Sequence, residues 1–397
     1  MGPNIQYRNM ARPGAACVLA LALMFAQGGQ ALAQKSEQGP IVLATMGSLF
    51  FGGSVIHRAD GETFHGDHGY AQFYVPEKAR DYPLILWHGV GQSGKCFEST
   101  PDGREGYQAI LPRHGWGTYI IDQPRRGRAG YTSERIEQSV DPTTTRESFT
   151  WNAFRNGLWV PPGKASLYPG VRFPSDPASI EQFFRQQTPD TGSEPRDNEH
   201  RAFMGKTMAF LLERTGPAIL VTHSNSGQYD WFAGMLATDS IRAIVAFEPG
   251  QLVFPDDEPI PDVPVKDKFI AKLMQGIQVP AKEFERLTRM PILLIYGDNI
   301  SETISDILHV EVWRISKARA RAFVDAINRR GGDATLLVLP DMGIRGNTHA
   351  PFADTNNLEV ARLMEEWLHK KGLDGSGHPH TGPMPAKTSR VTIPLQK

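Results

Sequence analysis

Cysteine is nearly absent: Cys17 and Cys96 are the only two in 397 residues. A disulfide-stapled scaffold is therefore excluded. Excess basic charge is absent too. Forty-two Lys and Arg stand against 43 Asp and Glu, for a formal net charge of -1. That balance argues against a nucleic-acid partner. No apolar run reaches the ~20 residues that a membrane span needs, and no internal repeat is visible.

The longest apolar stretch lies near the start. Arg8 and Arg12 precede "AACVLALALMFA", Ala15 to Ala26, and Ala31-Leu32-Ala33 follows. Basic region, short apolar run and small-x-small site form the pattern of a secretory signal peptide over 1–33, cut before Gln34. The mature chain is then exported to the periplasm or medium and is soluble. Cys17 leaves with the signal, so Cys96 is alone and reads as a small buried side chain rather than a nucleophile.

Two segments, "IVLATMGSLFFGGSVIHR" and "FHGDHGYAQFYV", read as β-strands in an antiparallel pair. Six short apolar runs follow. They begin at Leu84, Gly117, Ala218, Ile241, Pro291 and Ala334. Continuous rather than alternating apolar character marks strands covered on both faces of a parallel sheet. Helical patterns lie between them, such as Met204, Met208 and Leu211 at i, i+4, i+7. The alternation predicts an α/β domain over 34–372. Residues 131–198 and 251–287 break it and read as insertions over the carboxyl edge of the sheet. Residues 373–397 read as a disordered tail.

The strand ends carry His88, Asp122, Ser224, Glu248, Asp298 and His349. In open α/β sheets that edge is where ligands bind. Ser224 sits in Thr222-His223-Ser224-Asn225-Ser226-Gly227, between a strand and a helix. That is the position of a nucleophile elbow, small-x-Ser-x-small, although Thr222 and Ser226 replace the usual glycines. Ser226 is the rival, but one of its flanks, Gln228, is not small. The bland alternative is a helix N-cap, which serine and asparagine favour without any chemistry. A serine hydroxyl needs a general base, and His349 in "GNTHAPF" follows the last strand, where this chain order puts one. A carboxylate must orient the imidazole. Glu248 and Asp298 both qualify by order, and spacing does not separate them. The amides of Val90 and Asn225 are the expected oxyanion donors.

Other candidates rank below these. His65-Gly66-Asp67-His68 could suggest a metal, but an early hairpin strand is far from the catalytic edge, so solvated residues are expected and no metal. Arg125, Arg126 and Arg128 are expected to be solvated and to stabilise a turn rather than bind an acidic substrate. Trp151, Phe154, Trp159, Phe183 and Phe184 either line a pocket or form the core of the first insertion.

The series His88-Gly89, "IIDQPRRGRAG", the serine elbow, "EPG" and "GNTH" resembles the α/β-hydrolase superfamily over residues 40–372. More narrowly it resembles a group of secreted bacterial esterases whose elbow reads Thr-His-Ser-x-Ser-Gly. "TPDGREGY", Thr100 to Tyr107, also matches. The group uses a glutamate after the sixth strand, so the resemblance implies Glu248 as the acid. It further implies ester hydrolysis, no cofactor and often a homodimer. One departure is that two adjacent cysteines can follow the His-Gly pair in that group, where this chain has Val90 and Gly91. The rival readings are an amidase or lyase on the same fold, or a non-catalytic binding module.

Overall fold

The computed structural model describes residues 39–133, 142, 143 and 145–385. The expected signal peptide over 1–33 lies outside the described residues. So do positions 134–141 and 144 of the first insertion and the end of the tail, 386–397.

The chain opens with β1 (Leu43–His57) and β2 (Thr63–Pro76), then β3 (Leu84–Trp87), α1 (Lys95–Glu98), α2 (Tyr107–Arg113) and β4 (Thr118–Asp122). The first insertion contributes α3 (Glu147–Ala153) and α4 (Pro177–Arg185). Next come α5 (Asn198–Thr215), β5 (Ala218–His223), α6 (Gly227–Leu236) and β6 (Ile241–Phe247). The second insertion holds β7 (Val253–Pro255), α7 (Lys268–Leu273), β8 (Ile277–Val279) and α8 (Ala281–Phe284). The chain closes with β9 (Pro291–Tyr296), α9 (Leu308–Arg329), β10 (Asp333–Val338) and α10 (Asn357–Lys370).

Eight strands form one sheet in the order β1-β2-β4-β3-β5-β6-β9-β10. β1 and β2 are antiparallel, as is β2 against β4, and every other neighbouring pair is parallel. β7 and β8 make a separate parallel pair. The six apolar runs are the six strands from β3 to β10 outside the second insertion. Five of them are buried on both faces, apart from the half-buried Pro291 and the exposed Arg242. β10 is the exception: Thr335, Leu336 and Leu337 are only half-buried, because an edge strand has a neighbour on one side alone.

Alternation along the central strands splits the core in two. Ile85, Trp87, Leu220 and Ile121 pack with Met204, Met208 and Leu211 of α5 and with Trp231, Phe323 and Ile327. Leu84, Leu86, Ile219 and Ile120 face the other way, onto Ile110 and Leu111 of α2 and Val360, Met364 and Leu368 of α10. This two-sided cover is what the continuous apolar runs require. The starts of α4, α5 and α7 are capped by aspartates. Asp176 accepts the amides of Ala178 and Ser179, each at 3.1 Å, with Pro177 at the first helical position. Asp197 accepts the amide of His200 at 2.8 Å at the head of α5.

The described part of the tail departs from the expected disorder. The Asp81 amide donates to Gly375 O at 2.8 Å and the His380 amide to Arg80 O at 3.0 Å. Tyr119 Oη and His380 Nε2 lie 2.8 Å apart, and the Met384 amide reaches Arg214 O at 2.7 Å. A Gly- and Pro-rich composition offers little apolar surface. Here backbone hydrogen bonds and one buried imidazole hold the segment instead. Among the described residues, no helix is long and apolar enough to cross a membrane.

Candidate active site

The nucleophile candidate sits where β5 gives way to α6. Ser224 has φ 56°, a left-handed conformation that costs a non-glycine residue energy and that the surroundings must hold in place. The Gly250 amide donates to Ser224 O at 2.7 Å. Ser226 is fully buried; its hydroxyl accepts the His223 amide at 3.0 Å and reaches Trp87 O at 2.9 Å. It ties the elbow to β3. Glycines absent from the expected flanks stand at two contact points instead. A Cβ on Gly89 would lie 2.8 Å from the Ser224 Cβ, and one on Gly227 would lie 2.4 Å from the Pro249 Cβ. Among the described residues the Ser224 side chain is half-buried and makes no hydrogen bond, unlike Ser226.

Glu248, directly after β6, is fully buried and also left-handed, with φ 43°. His349 is 2 % exposed. His349 Nδ1 lies 2.6 Å from Glu248 Oε2. The ring is packed by Trp313 at 4.0 Å, His223 at 4.4 Å and Phe154 at 5.3 Å between centroids. Its backbone is pinned at both ends: its amide donates to Phe154 O at 2.9 Å, and its carbonyl lies 2.9 Å from His223 Nε2. Burial pushes the His349 imidazole below its usual pKa, against the pull of Glu248, and the charge of Arg155 adds to the lowering. Burial alone would raise Glu248. The charge of Arg155 and the hydrogen bond from His349 outweigh it and hold the carboxyl at about 2.

Asp298 has other work. Its Oδ1 accepts the Asn299 amide at 2.8 Å and its Oδ2 accepts the Gly346 amide at 2.8 Å. Asp354 completes the frame of the same loop. It accepts the Thr348 amide at 2.7 Å, the Thr348 hydroxyl at 2.8 Å and Asn347 Nδ2 at 2.9 Å.

Two more of the six strand-end groups, His88 and Asp122, brace loops as Asp298 does. His88 Nδ1 lies 2.9 Å from Gly89 O, and Nε2 accepts the Gln123 amide at 3.2 Å. That pattern fits a neutral ring protonated on Nδ1, and burial pushes its pKa down to about 4. Asp122 accepts the amides of Gly94 and Arg128 at 2.7 and 2.9 Å. The Val90 amide has no acceptor among the described residues, whereas the Asn225 side chain is held by Glu194 Oε1 at 2.9 Å and Tyr229 Oη at 3.0 Å.

The three arginines are not simply solvated. Arg125 and Arg126 are buried, against Asp67 at 2.9 Å and against Asp190 and Glu194 at 2.6 and 2.7 Å. Arg128 pairs with Asp122 at 2.7 Å. They stabilise the turn, as expected, but through internal carboxylates. Asp67 is likewise buried with Arg125, while His65 is exposed and His68 stacks edge-on to Phe50 at 4.9 Å. Cys96 is buried, and burial raises its thiol pKa. The aromatics of the first insertion do both things considered for them. Trp151, Phe154 and Phe183 join the core under α10, and Phe154, Phe173, Phe183 and Phe352 line a small recess beside the His349 loop. Gln92 and Asn156 also line it, both buried and with side-chain amides that have no hydrogen-bond partner among the described residues.

Sequence reasoning missed Arg155 and Trp313. Arg155 Nη1 donates to Glu248 Oε2 at 2.6 Å, Nη2 donates to Glu248 Oε1, and Nε donates to Asp298 O at 2.9 Å. Nothing in the Pro- and aromatic-rich insertion signals such a partner.

No protein-family model matches the chain. A curated relative, "Probable secreted lipase phiG" of Fungal sp. (strain ATCC 74256), is 25% identical over 332 residues, spanning 76% of this chain and 86% of the relative. The solved structure of a bacterial esterase is 28% identical and superposes with a TM-score of 0.66, covering 85% of this chain and 99% of that one.

Proposed function

We propose that this chain, an α/β-hydrolase by fold, is a serine hydrolase of carboxylic esters that uses Ser224, His349 and Glu248. The observation that carries the reading is the 2.6 Å contact between His349 Nδ1 and Glu248 Oε2, at the strand edge where Ser224 stands strained. Glu248 occupies Nδ1, which leaves Nε2 as the base. Nε2 takes the proton as Ser224 Oγ adds to the ester carbonyl. The oxyanion is met by the amides of Val90 and Asn225, fixed before charge develops. Collapse expels the alcohol, which takes the proton back from Nε2, and leaves Ser224 acylated. Water then repeats the sequence and releases the acid. Glu248 stays ionised throughout, consistent with its low pKa.

The secreted lipase and the bacterial esterase support the substrate class. Export belongs to the same reading, since residues 15–33 carry the signal pattern. Gln34 is the expected first residue of the exported protein, and an N-terminal sequence beginning at Met1 would count against cleavage. Ser224→Ala should lower turnover of an activated ester by about four to six orders of magnitude. A fluorophosphonate should label Ser224 in the parent. Parent-like turnover by Ser224→Ala, or a label on another residue, overturns the reading. Product analysis separates ester hydrolysis from amidase or lyase chemistry.

A further inference from the structure

We propose that Arg155, supplied by the first insertion, is a positioning residue for the reaction: it clamps Glu248 and opposes the protonation of His349, so that the insertion sets the acid limit of catalysis. The proposal rests on the serine-hydrolase reading above.

The geometry concerns one carboxylate with four donors. Glu248 Oε1 receives Arg155 Nη2 and the Gly297 amide, the latter at 2.7 Å. Oε2 receives Arg155 Nη1 and His349 Nδ1, each at 2.6 Å. A carboxylate has about four acceptor sites, so this one is saturated. It cannot rotate without breaking a fork of two charge-assisted bonds. Arg155 is itself fixed. Its φ is 55°, its Nε is bonded to Asp298 O, and its guanidinium lies 5.2 Å from the Trp313 ring. Trp313 donates to Ala153 O at 2.8 Å and packs against the His349 ring at a tilt of 42°. One indole thus contacts both the guanidinium and the imidazole.

Charge follows from that geometry. A protonated His349 would share Glu248 with a second, permanent cation. All three groups are 2 % exposed or less, so solvent screens them weakly. The other groups around His349 do not offset this. His223, from β5, contacts the His349 carbonyl and is held neutral by burial. Trp313 from α9 and Phe154 after α3 carry no charge. Asp298, after β9, is turned to Gly346 and Asn299. Asp354, on the His349 loop, is turned to Asn347 and Thr348, and burial pushes its pKa up to about 7. Removing the Arg155 charge leaves the Glu248 anion to favour imidazolium, so the His349 pKa should rise.

A buried arginine could instead only keep the buried acid soluble in the fold. The pH dependence of kcat/KM on an activated ester distinguishes the two, with active sites counted by fluorophosphonate labelling and folding checked by circular dichroism. The acid limb of Arg155→Gln and Arg155→Met should move upward by about one pH unit or more. Arg155→Lys keeps the charge and loses the fork. Its limb should stay within about 0.3 unit of the parent, with kcat lowered about tenfold and KM little changed. Limbs of folded neutral variants that coincide with the parent overturn the proposal, as does a lysine variant shifted as far as glutamine. If neither neutral variant folds, the lysine variant decides alone: a limb moved by more than about half a unit sinks the idea. A parent without Ser224-dependent turnover defeats the hydrolase reading and this one with it. A parent with such turnover and an unmoved limb defeats only the role of Arg155.

Discussion

The Asp298 carboxylate accepts the Gly346 amide at 2.8 Å, three residues before His349, and leaves the His349 ring to Glu248. Two acids at adjacent strand ends therefore divide the work. Glu248 meets the imidazole, and Asp298 shapes the loop that delivers it.

That division is testable by paired amide substitutions. Glu248→Gln removes the ionic partner of His349 and should lower kcat/KM by about three to four orders of magnitude. Asp298→Asn keeps an oxygen for one loop amide and should cost about tenfold or less, since backbone bonds such as Asp298 N to Asn347 O at 2.8 Å remain. Steady-state kinetics on an activated ester, with each variant shown to be folded, checks both. A larger loss in Asp298→Asn would move the orienting role to Asp298.

Much of the fold was legible because burial on both faces leaves a mark in one dimension. The runs at Leu84, Gly117, Ala218, Ile241, Pro291 and Ala334 are strands in the structure, and Met204, Met208 and Leu211 lie on one buried face of α5. Ser224 and Glu248, directly after β5 and β6, were legible for the same reason, since a strand's end fixes where the next side chain is, whereas His349 lies in the loop after β10 and was read from chain order. Arg155 was not legible. Its pairing with Glu248 joins positions 93 apart, through an insertion without periodicity. Trp313 was hidden differently: on an amphipathic helix it looks like any other core aromatic. The charge of Arg125 and Arg126 suggested solvent, but carboxylates from the first insertion, Asp190 and Glu194, and Asp67 from β2 bury them.

The elbow's missing glycines illustrate the same limit. A close approach needs a glycine somewhere, and here the approach is made from β3. A Cβ at Gly89 would come within 2.8 Å of the Ser224 Cβ and 3.0 Å of His223 Nδ1. Neither neighbour can yield cheaply, since Ser224 is already left-handed and His223 is bonded to the His349 carbonyl. Gly89→Ala should therefore displace the nucleophile or the Val90 loop, and kcat/KM should fall about a hundredfold or more. The loss should lie in kcat rather than KM. Unchanged kinetics would mean that the loop after β3 can move away without consequence, and Val90 would lose its place as oxyanion donor.

Ser226 tests the assignment of the nucleophile from the other side. Its hydroxyl is fully buried, accepts the His223 amide at 3.0 Å and reaches Trp87 O at 2.9 Å. Ser226→Ala leaves both backbone groups without that partner, and a buried polar group left unsatisfied costs about 1–3 kcal/mol. Thermal unfolding should register that cost as a lower Tm. Turnover in the folded protein should stay within about tenfold of the parent, because the left-handed turn at Ser224 is also held by the Gly250 amide at 2.7 Å. Fluorophosphonate labelling should persist at Ser224. A variant of parent-like stability that no longer accepts the label would reverse the roles, making Ser226 the reactive hydroxyl and Ser224 the strained residue that merely turns the chain.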